Sequence, residues 1–360
     1  MRLIERSLIE RGVEIETATT DDDGPRQRIA RPAVDLVHEE GAARRYFPRQ
    51  SSFYKMSRPF ASWASAHVRD YDIVHVHALF SYLPVVAARA ARSAGVPYII
   101  RPLGTLERYG MRERRPMLKR LSLAMVESPL LRDASAVHFT SNSEAEQAKA
   151  LRIPMRPAII PLGIERASTL PARDFTEGPL RLLWLSRLDP KKNLGPLLQA
   201  VKAVKDGGAV IQLEIAGAGD AAYENEVRAQ AQSLGLSDVV KWLGHVEGEA
   251  KSAALFRAHV FVLPSQSENF GIAVAEALAS GLPCLLSPGV AVASEVAAAG
   301  AGWVVEPQTS ALAEALRLII SGRPALAEMS QTAGTLAAER YSIDAMGAQL
   351  KQLYTEILRR

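Results

Sequence analysis

Short β-branched and aliphatic runs alternate with Ala- and Leu-rich amphipathic segments along most of the chain, and this alternation starts over once. Apolar runs bounded by turn residues and separated by helical periodicity are the pattern of a parallel sheet covered by helices. In the first half, 71–78, 96–104, 134–141 and 156–164 read as strands, with helices at 82–95, around 116–131 and from about 143. Ser141 and Glu144 have capping-box spacing at that last helix start. The turn-rich, charged stretch 165–180 reads as a linker. The rhythm then resumes, with strands at 180–188, 211–219, 239–246, 260–265, 282–287 and 300–307. Helices lie between them, and a last helix closes the chain.

A chain of 360 residues is long enough for two such units, each with its own core. Apolar residues at 48% and charged residues at 23% suit a globular protein in water. The single cysteine, Cys284, excludes a disulfide framework and points to a reducing cytoplasm. No run approaches the length of a membrane span, and the first residues lack a signal peptide's apolar core. Residues 1–170 carry 26 Lys and Arg against 19 Asp and Glu, a net +7, whereas 171–360 carry 17 against 20, a net −3. The excess is concentrated in 41–58 and 108–120. A solvated face, an anionic membrane and a phosphorylated acceptor all fit these runs. Nucleic acid does not, because no helix-turn-helix, zinc or aromatic RNA-binding pattern accompanies the charge.

Ligands of parallel α/β proteins bind beyond the carboxyl ends of the strands, so residues just after strands carry most of the functional information. "LSRLDPKKNL" (185–194) leaves its strand with Arg187, turns at Asp189-Pro190, and presents Lys191 and Lys192 where a helix begins. Cations there oppose the helix dipole, a cost that an anionic ligand offsets. "SENFGIAVAEALASG" (267–281) adds Glu268 at a turn, a helix starting near Gly271, and Glu276 on an otherwise apolar helix. Free N–H groups at that helix start suit a diphosphate, and a carboxylate on an apolar helix needs a partner such as ribose hydroxyls. On one straight helix these two acids would stand roughly 12 Å apart, beyond the roughly 5–9.5 Å of a sugar-hydrolysing pair. They suit the two ends of one extended ligand.

Arg187 and Lys192 five apart, followed by Glu268-Asn269-Phe270-Gly271…Glu276, resemble the donor domain of retaining glycosyltransferases of the GT-B fold, family 4, glycosyl transferases group 1. The resemblance covers most of the chain, including the His75-Val-His77 strand and the Gly217-Ala-Gly219-Asp turn. It implies an α/β protein of two tandem Rossmann-like domains facing a central cleft. The expected boundaries are 1–168 for the acceptor-side domain and 169–340 for the donor domain, with 341–360 a C-terminal helix packing back on the first. Arg187 and Lys192 would bind the donor diphosphate, helped by the backbone of Asn269, Phe270 and Gly271 and by the turn of Gly217 and Gly219. Glu268 would face the donor sugar, Glu276 the ribose, and 241–246 the base. His77 and Arg101 are acceptor-side candidates. Many family members carry a histidine where this chain has Arg101-Pro102-Leu103-Gly104, which leaves the role of that loop open.

The implied activity is metal-independent transfer of a sugar from a nucleotide-diphosphate sugar, with no further cofactor. The acceptor would be a carbohydrate or lipid-linked molecule in exopolysaccharide, capsule or lipopolysaccharide assembly, handled in the cytoplasm or peripherally at the inner membrane face. A non-catalytic nucleotide-sugar-binding protein is one alternative, and a GT-B sugar-nucleotide epimerase or phosphorylase another. The G-x-G-x-x-A pattern at 217–222 is set against a nicotinamide enzyme by Asp238, which begins a strand instead of ending one. His75 and His77 read as core or cleft-wall histidines before a metal pair, and 21–23 as a solvated acidic run. At the N-terminus, 1–12 reads as a helix with Leu3, Ile4, Leu8 and Ile9 on one face and Gly12 as its stop, followed by a strand at 13–20. The family's domain opens with a strand and a glycine-rich loop before that helix. The expectation is therefore a first domain without its first strand, less stable and poorly active in transfer, with donor binding by the second half retained.

Overall fold

The computed structural model describes residues 1–24, 27–29, 36–39, 41–51, 54–107, 111, 116–165 and 173–360. The middle of the expected linker and much of the second basic run lie outside the described residues. The chain forms two compact units, Met1–Gly163 with Ile343–Arg360, and Ile164–Ser342.

The first unit contains helix α1 (Arg2–Ile9), strands β1 (Glu16–Thr20), β2 (Leu36–Glu39) and β3 (Ala42–Phe47), and helix α2 (Arg58–His67). It continues with β4 (Val74–His77), α3 (Tyr82–Ala94), β5 (Tyr98–Arg101), α4 (Pro116–Ser122), α5 (Ser128–Asp133), β6 (Ala136–Phe139), α6 (Asn142–Lys149) and β7 (Pro157–Ile159). A five-residue π-helical turn, Leu123–Glu127, joins α4 to α5. Strands β4-β5-β6-β7 form a parallel sheet, and β1-β3-β2 form a mixed one in which β1 runs parallel and β2 antiparallel to β3. All four residues of β5 and of β6 are buried, as strands covered on both faces must be. Strands β1 and β4 each have one edge without a strand partner among the described residues, and both line a cavity of about 350 Å3 that Met1, Trp63, His77 and Tyr354 share.

The expected helix at 1–12 is α1, with Ile4 and Leu8 buried and Gly12 in the left-handed region just beyond it. Strands β2 and β3 and helix α2 carry no reading in the sequence, where 41–58 registers as charge. Their charges are consumed locally. Arg44 is buried between Glu5 and Glu39, Arg45 pairs with Glu16 at 2.7 Å and lies over Trp63, and Arg49 and Lys55 both contact Asp22. Asp22 is thereby held below the usual carboxylate range, chiefly by its hydrogen bond from Lys55. The acidic run at 21–23 is thus partly an internal ion-pair partner, which corrects its reading as wholly solvated. The basic run at 41–58 is equally no free cationic surface.

The last helix of the chain, named here α14 (Ile343–Leu358), belongs to this unit. Its buried Met346, Leu350, Tyr354 and Ile357 recur at helical spacing and pack with Ile4, Leu8, Ile99, Ala136 and Ile160. Gly347 allows the crossing with α1, since a Cβ there would stand 2.8 Å from Ser7 Cβ.

The second unit alternates β8 (Leu180–Leu185), α7 (Leu194–Asp206), β9 (Ile211–Ala216), α8 (Ala221–Ser233), β10 (Val240–Gly244), α9 (Gly248–Arg257) and β11 (Val260–Leu263). It ends with α10 (Ile272–Ala279), β12 (Cys284–Leu286), α11 (Ala293–Ala298), β13 (Gly302–Val304), α12 (Thr309–Ser321) and α13 (Leu326–Arg340). Its six strands are all parallel, in the order β10-β9-β8-β11-β12-β13. From β8 the chain steps outward through β9 and β10, then returns to β11 on the other side and steps outward again. The order therefore reverses between β8 and β11, and the loops leaving their carboxyl ends open a crevice there.

Candidate functional site

The β8 loop supplies the cations. Pro190–Lys192 is a single 3-10 turn that Asp189 caps by accepting from the Lys191 N–H at 3.1 Å. Asn193 then takes a left-handed conformation (φ 59°) and starts α7. The loop directs Lys192 and Arg187 differently. Lys192 is buried, and its Nζ contacts Glu268 Oε2, while Arg187 remains 67% exposed with only a 3.4 Å contact to Asp189. A backbone hydrogen bond from Gln266 N–H to the Lys191 carbonyl (2.8 Å) ties the β8 loop to the β11 loop. Burial, then the charges of Lys191 and Arg187, push the Lys192 ammonium down to about 8, while the charge of Asp189 works the other way.

The β11 loop supplies the acid and the helix start. Glu268 is fixed by its N–H to the Gly289 carbonyl (2.9 Å) and its carbonyl to the Ala291 N–H (3.1 Å). Gly271 is left-handed (φ 80°) and begins α10 without a side-chain cap; Val274 N–H turns back to the Gly271 carbonyl (2.8 Å), which leaves the Ile272 and Ala273 N–H groups without an intrahelical acceptor. Phe270 is buried edge-on against Tyr341, with ring centroids 5.7 Å apart, which anchors the turn. Glu276 lies one face further along α10, where Lys251 Nζ of α9 donates to its Oε1 at 2.7 Å. The isolated carboxylate expected from the sequence is thus an ion pair. Glu268 and Glu276 each give one oxygen to a lysine, and the other oxygen of each has no protein partner among the described residues.

Gly217 and Gly219 have a role that periodicity does not reveal. A Cβ on Gly217 would sit 1.8 Å from the Ser186 carbonyl oxygen, and one on Gly219 2.0 Å from that of Leu188. With Leu188 N–H donating to Ala218 O at 3.0 Å, the two glycines let the β9 loop lie flat against the loop that carries Arg187. Gly244, at the end of β10, accepts from Gly217 N–H at 2.6 Å, which extends this stack to the 241–246 stretch. Trp242 there holds the Arg228 guanidinium 4.5 Å above its ring.

The acceptor-side candidates lie in the first unit, at the carboxyl ends of β4 and β5. His75 and His77 stack at 4.4 Å, and a hydrogen-bond chain fixes the tautomers. His138 Nε2 has only the Ile160 carbonyl to meet (2.8 Å) and so must donate. His138 Nδ1 then accepts from His75 Nε2 (3.3 Å), and His75 Nδ1 accepts from the Tyr354 hydroxyl (2.7 Å). Burial keeps these histidines neutral, with His138 lowered to about 3 and His75 and His77 well below the usual value. The nitrogens of His75 and His138 are occupied by each other, by Tyr354 and by the Ile160 carbonyl, and among the described residues no group of three His, Cys, Asp or Glu is placed to hold a metal. His77 Nδ1 and Arg101 Nε are buried without a hydrogen-bond partner. Beside Arg101, Glu144 holds the next turn by accepting from Gly104 N–H (2.7 Å) and Thr140 N–H (2.8 Å). Ser141 does cap α6, accepting from Glu144 N–H at 3.1 Å, but the reciprocal half of the box goes to these two amides.

A parallel α/β unit whose strand order reverses between two loops, one carrying cations and the other leading into a helix N-terminus, is the architecture of the doubly wound class. The chain belongs to the glycosyl transferases group 1 family: the model of that name matches residues 168–335, and that of the glycosyl transferase 4-like domain matches residues 1–163. It is 32% identical over 179 residues to phosphatidyl-myo-inositol mannosyltransferase of Mycobacterium leprae, covering 49% of this chain and 46% of the relative. It is 31% identical over 169 residues to the amylovoran biosynthesis glycosyltransferase AmsK of Erwinia amylovora, covering 45% and 41%. The chain thus spans about half the length of the curated relatives it matches. Among solved structures, sucrose-phosphate synthase from Thermosynechococcus elongatus superposes with a TM-score of 0.76 at 20% identity, over 99% of this chain and 92% of that one. Anabaena HepE, in complex with UDP and glucose, gives 0.67 at 17% identity, over 88% and 86%. The fold is GT-B.

Lys251 as the partner of Glu276, and the chain from Ile160 to Tyr354, escaped sequence reasoning. Both join residues far apart in the chain, and no local spacing signals either.

Proposed function

We propose that this protein is a retaining glycosyltransferase that moves a sugar from a nucleotide-diphosphate sugar to a carbohydrate or lipid-linked acceptor in polysaccharide or lipopolysaccharide assembly. The observation that carries the reading is the contact of Lys192 with Glu268 where the strand order reverses, with Arg187 open on the same β8 loop and the start of α10 lacking a side-chain cap. The diphosphate would take Arg187, Lys192 and the N–H groups around Asn269, Phe270 and Gly271. The donor sugar would meet the open oxygen of Glu268, and the ribose that of Glu276. Charge develops on the leaving phosphate in the transition state, so cations fixed around it beforehand lower the barrier. That phosphate then assists removal of the acceptor's proton, which needs no side-chain base. Neutral His77 and buried Arg101 belong to the acceptor side of this reading, and 341–360 to the structural frame of the first unit.

Lipid-linked acceptors fit the names of relatives such as the mannosyltransferase above and the alpha-monoglucosyldiacylglycerol synthase of Streptococcus pneumoniae. Among the described residues no helix is long and apolar enough to cross a membrane, so contact with such an acceptor's membrane would be peripheral. No cofactor beyond the nucleotide sugar enters the mechanism, and no metal is needed to neutralise the diphosphate. The test is a panel of UDP, GDP and ADP sugars read by thermal shift and then by transfer. The Arg187→Ala/Lys192→Ala variant should lose both the shift and turnover. Wild-type behaviour of that variant, or transfer abolished by EDTA and restored by Mg2+, would overturn the reading.

A further inference from the structure

The helical run 116–133 exposes an apolar face. Met117 is 82% exposed, Leu118 55%, Leu121 53% and Met125 64%. Their spacing of i, i+1, i+4 and i+8 gathers them on one side at 100° per residue. The buried apolar residues of the run, Leu123, Leu130 and Leu131, begin only at the π-helical turn 123–127, where the extra residue rotates the following side chains. Ser122 and Ser128 brace that turn, Ser122 Oγ donating to the buried Glu127 carboxylate at 2.9 Å and Ser128 Oγ to the Leu123 carbonyl at 2.6 Å. A packed helix would turn these four large apolar side chains inward, and this one is held with them outward.

Charge and volume accompany the face. Arg120 is exposed beside it, and the stretch 108–120 holds six Lys and Arg against one Glu. Arg120 and Ala124 of the same run line a cavity of about 310 Å3, otherwise walled largely by apolar side chains including Leu106, Met111, Leu151 and Ile153. Between the last two stands Arg152, also exposed.

We propose that this face is a docking surface for an anionic phospholipid bilayer: Met117, Leu118, Leu121 and Met125 enter the headgroup–acyl boundary, and Arg120 and Arg152 meet lipid phosphates. An exposed apolar stripe flanked by cations on a helix too short to span is the arrangement that lies in a membrane interface. The neighbouring cavity offers an acyl chain an apolar recess with a cation at its wall. This deepens the lipid-linked acceptor reading above by naming the surface, and it is tested without donor or acceptor.

The whole chain is sedimented with phosphatidylcholine vesicles with and without phosphatidylglycerol. Binding should require the anionic lipid and fall as salt rises. Arg120→Glu should weaken it about tenfold, since each cation near such a surface contributes about 1 kcal/mol and reversal adds repulsion. Met117→Ser/Leu121→Ser/Met125→Ser should bring binding to the level of neutral vesicles. Leu318→Ser, at an equally exposed leucine of the second unit, should leave it unchanged. Equal binding to both vesicle types, or wild-type binding by the triple variant, would overturn the proposal. So would a dimer in sedimentation velocity that the triple variant abolishes, because the face would then be a contact between copies. Nucleotide-sugar thermal shifts of the triple variant should match wild type. The Arg187→Ala/Lys192→Ala variant should still bind vesicles, so failure of the transferase reading and of this one are told apart.

Discussion

Lys192 and Glu268 stand 76 positions apart, yet Lys192 Nζ meets Glu268 Oε2, joining the loops that leave β8 and β11. On the proposed function an incoming diphosphate would compete with Glu268 for the ammonium, so donor binding should loosen Glu268 as a sugar arrives beside it.

Lys192→Ala should accordingly cost roughly 10- to 100-fold in donor affinity, the weight of a hydrogen bond to a charged group. Glu268→Gln, which keeps the shape and frees the ammonium, should leave donor affinity near wild type and lower kcat. Steady-state kinetics with the two variants separate the effects: an unchanged kcat in Glu268→Gln would remove the acid from the reaction.

A lysine held down at about 8 gives opposite pH slopes to binding and stability. Below pH 8 the ammonium is charged and can hold phosphate; above it the proton leaves and donor affinity should fall. The unfolded chain keeps that proton up to the ordinary lysine value of 10.5. Between 8 and 10.5 the unfolded state thus binds more protons, so this residue's contribution makes stability rise with pH. Lys192→Arg should flatten the affinity profile, because arginine stays charged throughout this range. Titration of donor affinity from pH 6.5 to about 9.5 checks it, and identical profiles for both proteins would exclude Lys192 as the source.

Glu276 shares its carboxylate between Lys251 and the space assigned to ribose. Lys251→Ala frees an oxygen but leaves the carboxylate unpaired, and should weaken nucleotide binding only severalfold. Glu276→Ala should weaken it more than tenfold, with kcat at saturating donor changed far less. Calorimetry with UDP, GDP and ADP gives the order, and equal losses in the two variants would assign Glu276 to the ion pair alone.

Gly217→Ala tests the loop packing. The new Cβ would fall 1.8 Å from Ser186 O at φ +142°, a conformation that disfavours alanine in any case. The backbone must shift, at a cost of order 1–3 kcal/mol, or a Tm lower by roughly 2–12 °C for a unit of this size. Arg187 should move with its loop, so donor affinity should fall even where the variant stays folded. Gly178→Ala, at a left-handed glycine (φ +65°) with open space around it, should lower Tm without altering donor affinity.

How far the fold was legible depended on burial. Strands such as β8 and β11 are covered on both faces, so they appear as continuous apolar runs, and the helices between them keep a 3.6-residue period. Strand β3 is different: Arg44 and Arg45 interrupt the apolar pattern, and their partners Glu5, Glu39 and Glu16 lie 39, 5 and 29 positions away. A strand stabilised by distant ion pairs looks like a charged surface when read alone.

The sequence by itself determined which residues follow which strand, and hence that Arg187, Lys192, Glu268 and Glu276 sit on loops and a helix fit for an anion. It also fixed the glycines, whose missing side chains are a property of composition. Only the tertiary structure decided that Lys192 turns inward to Glu268 while Arg187 stays open, that Glu276 is paired with Lys251, and that 116–133 turns its apolar side chains outward. The two lysine pairings join groups remote in the chain, and the outward face depends on what the rest of the unit leaves uncovered. Local spacing sets where a side chain starts, but the energy of its charge or its apolar surface is settled by what the rest of the fold brings against it.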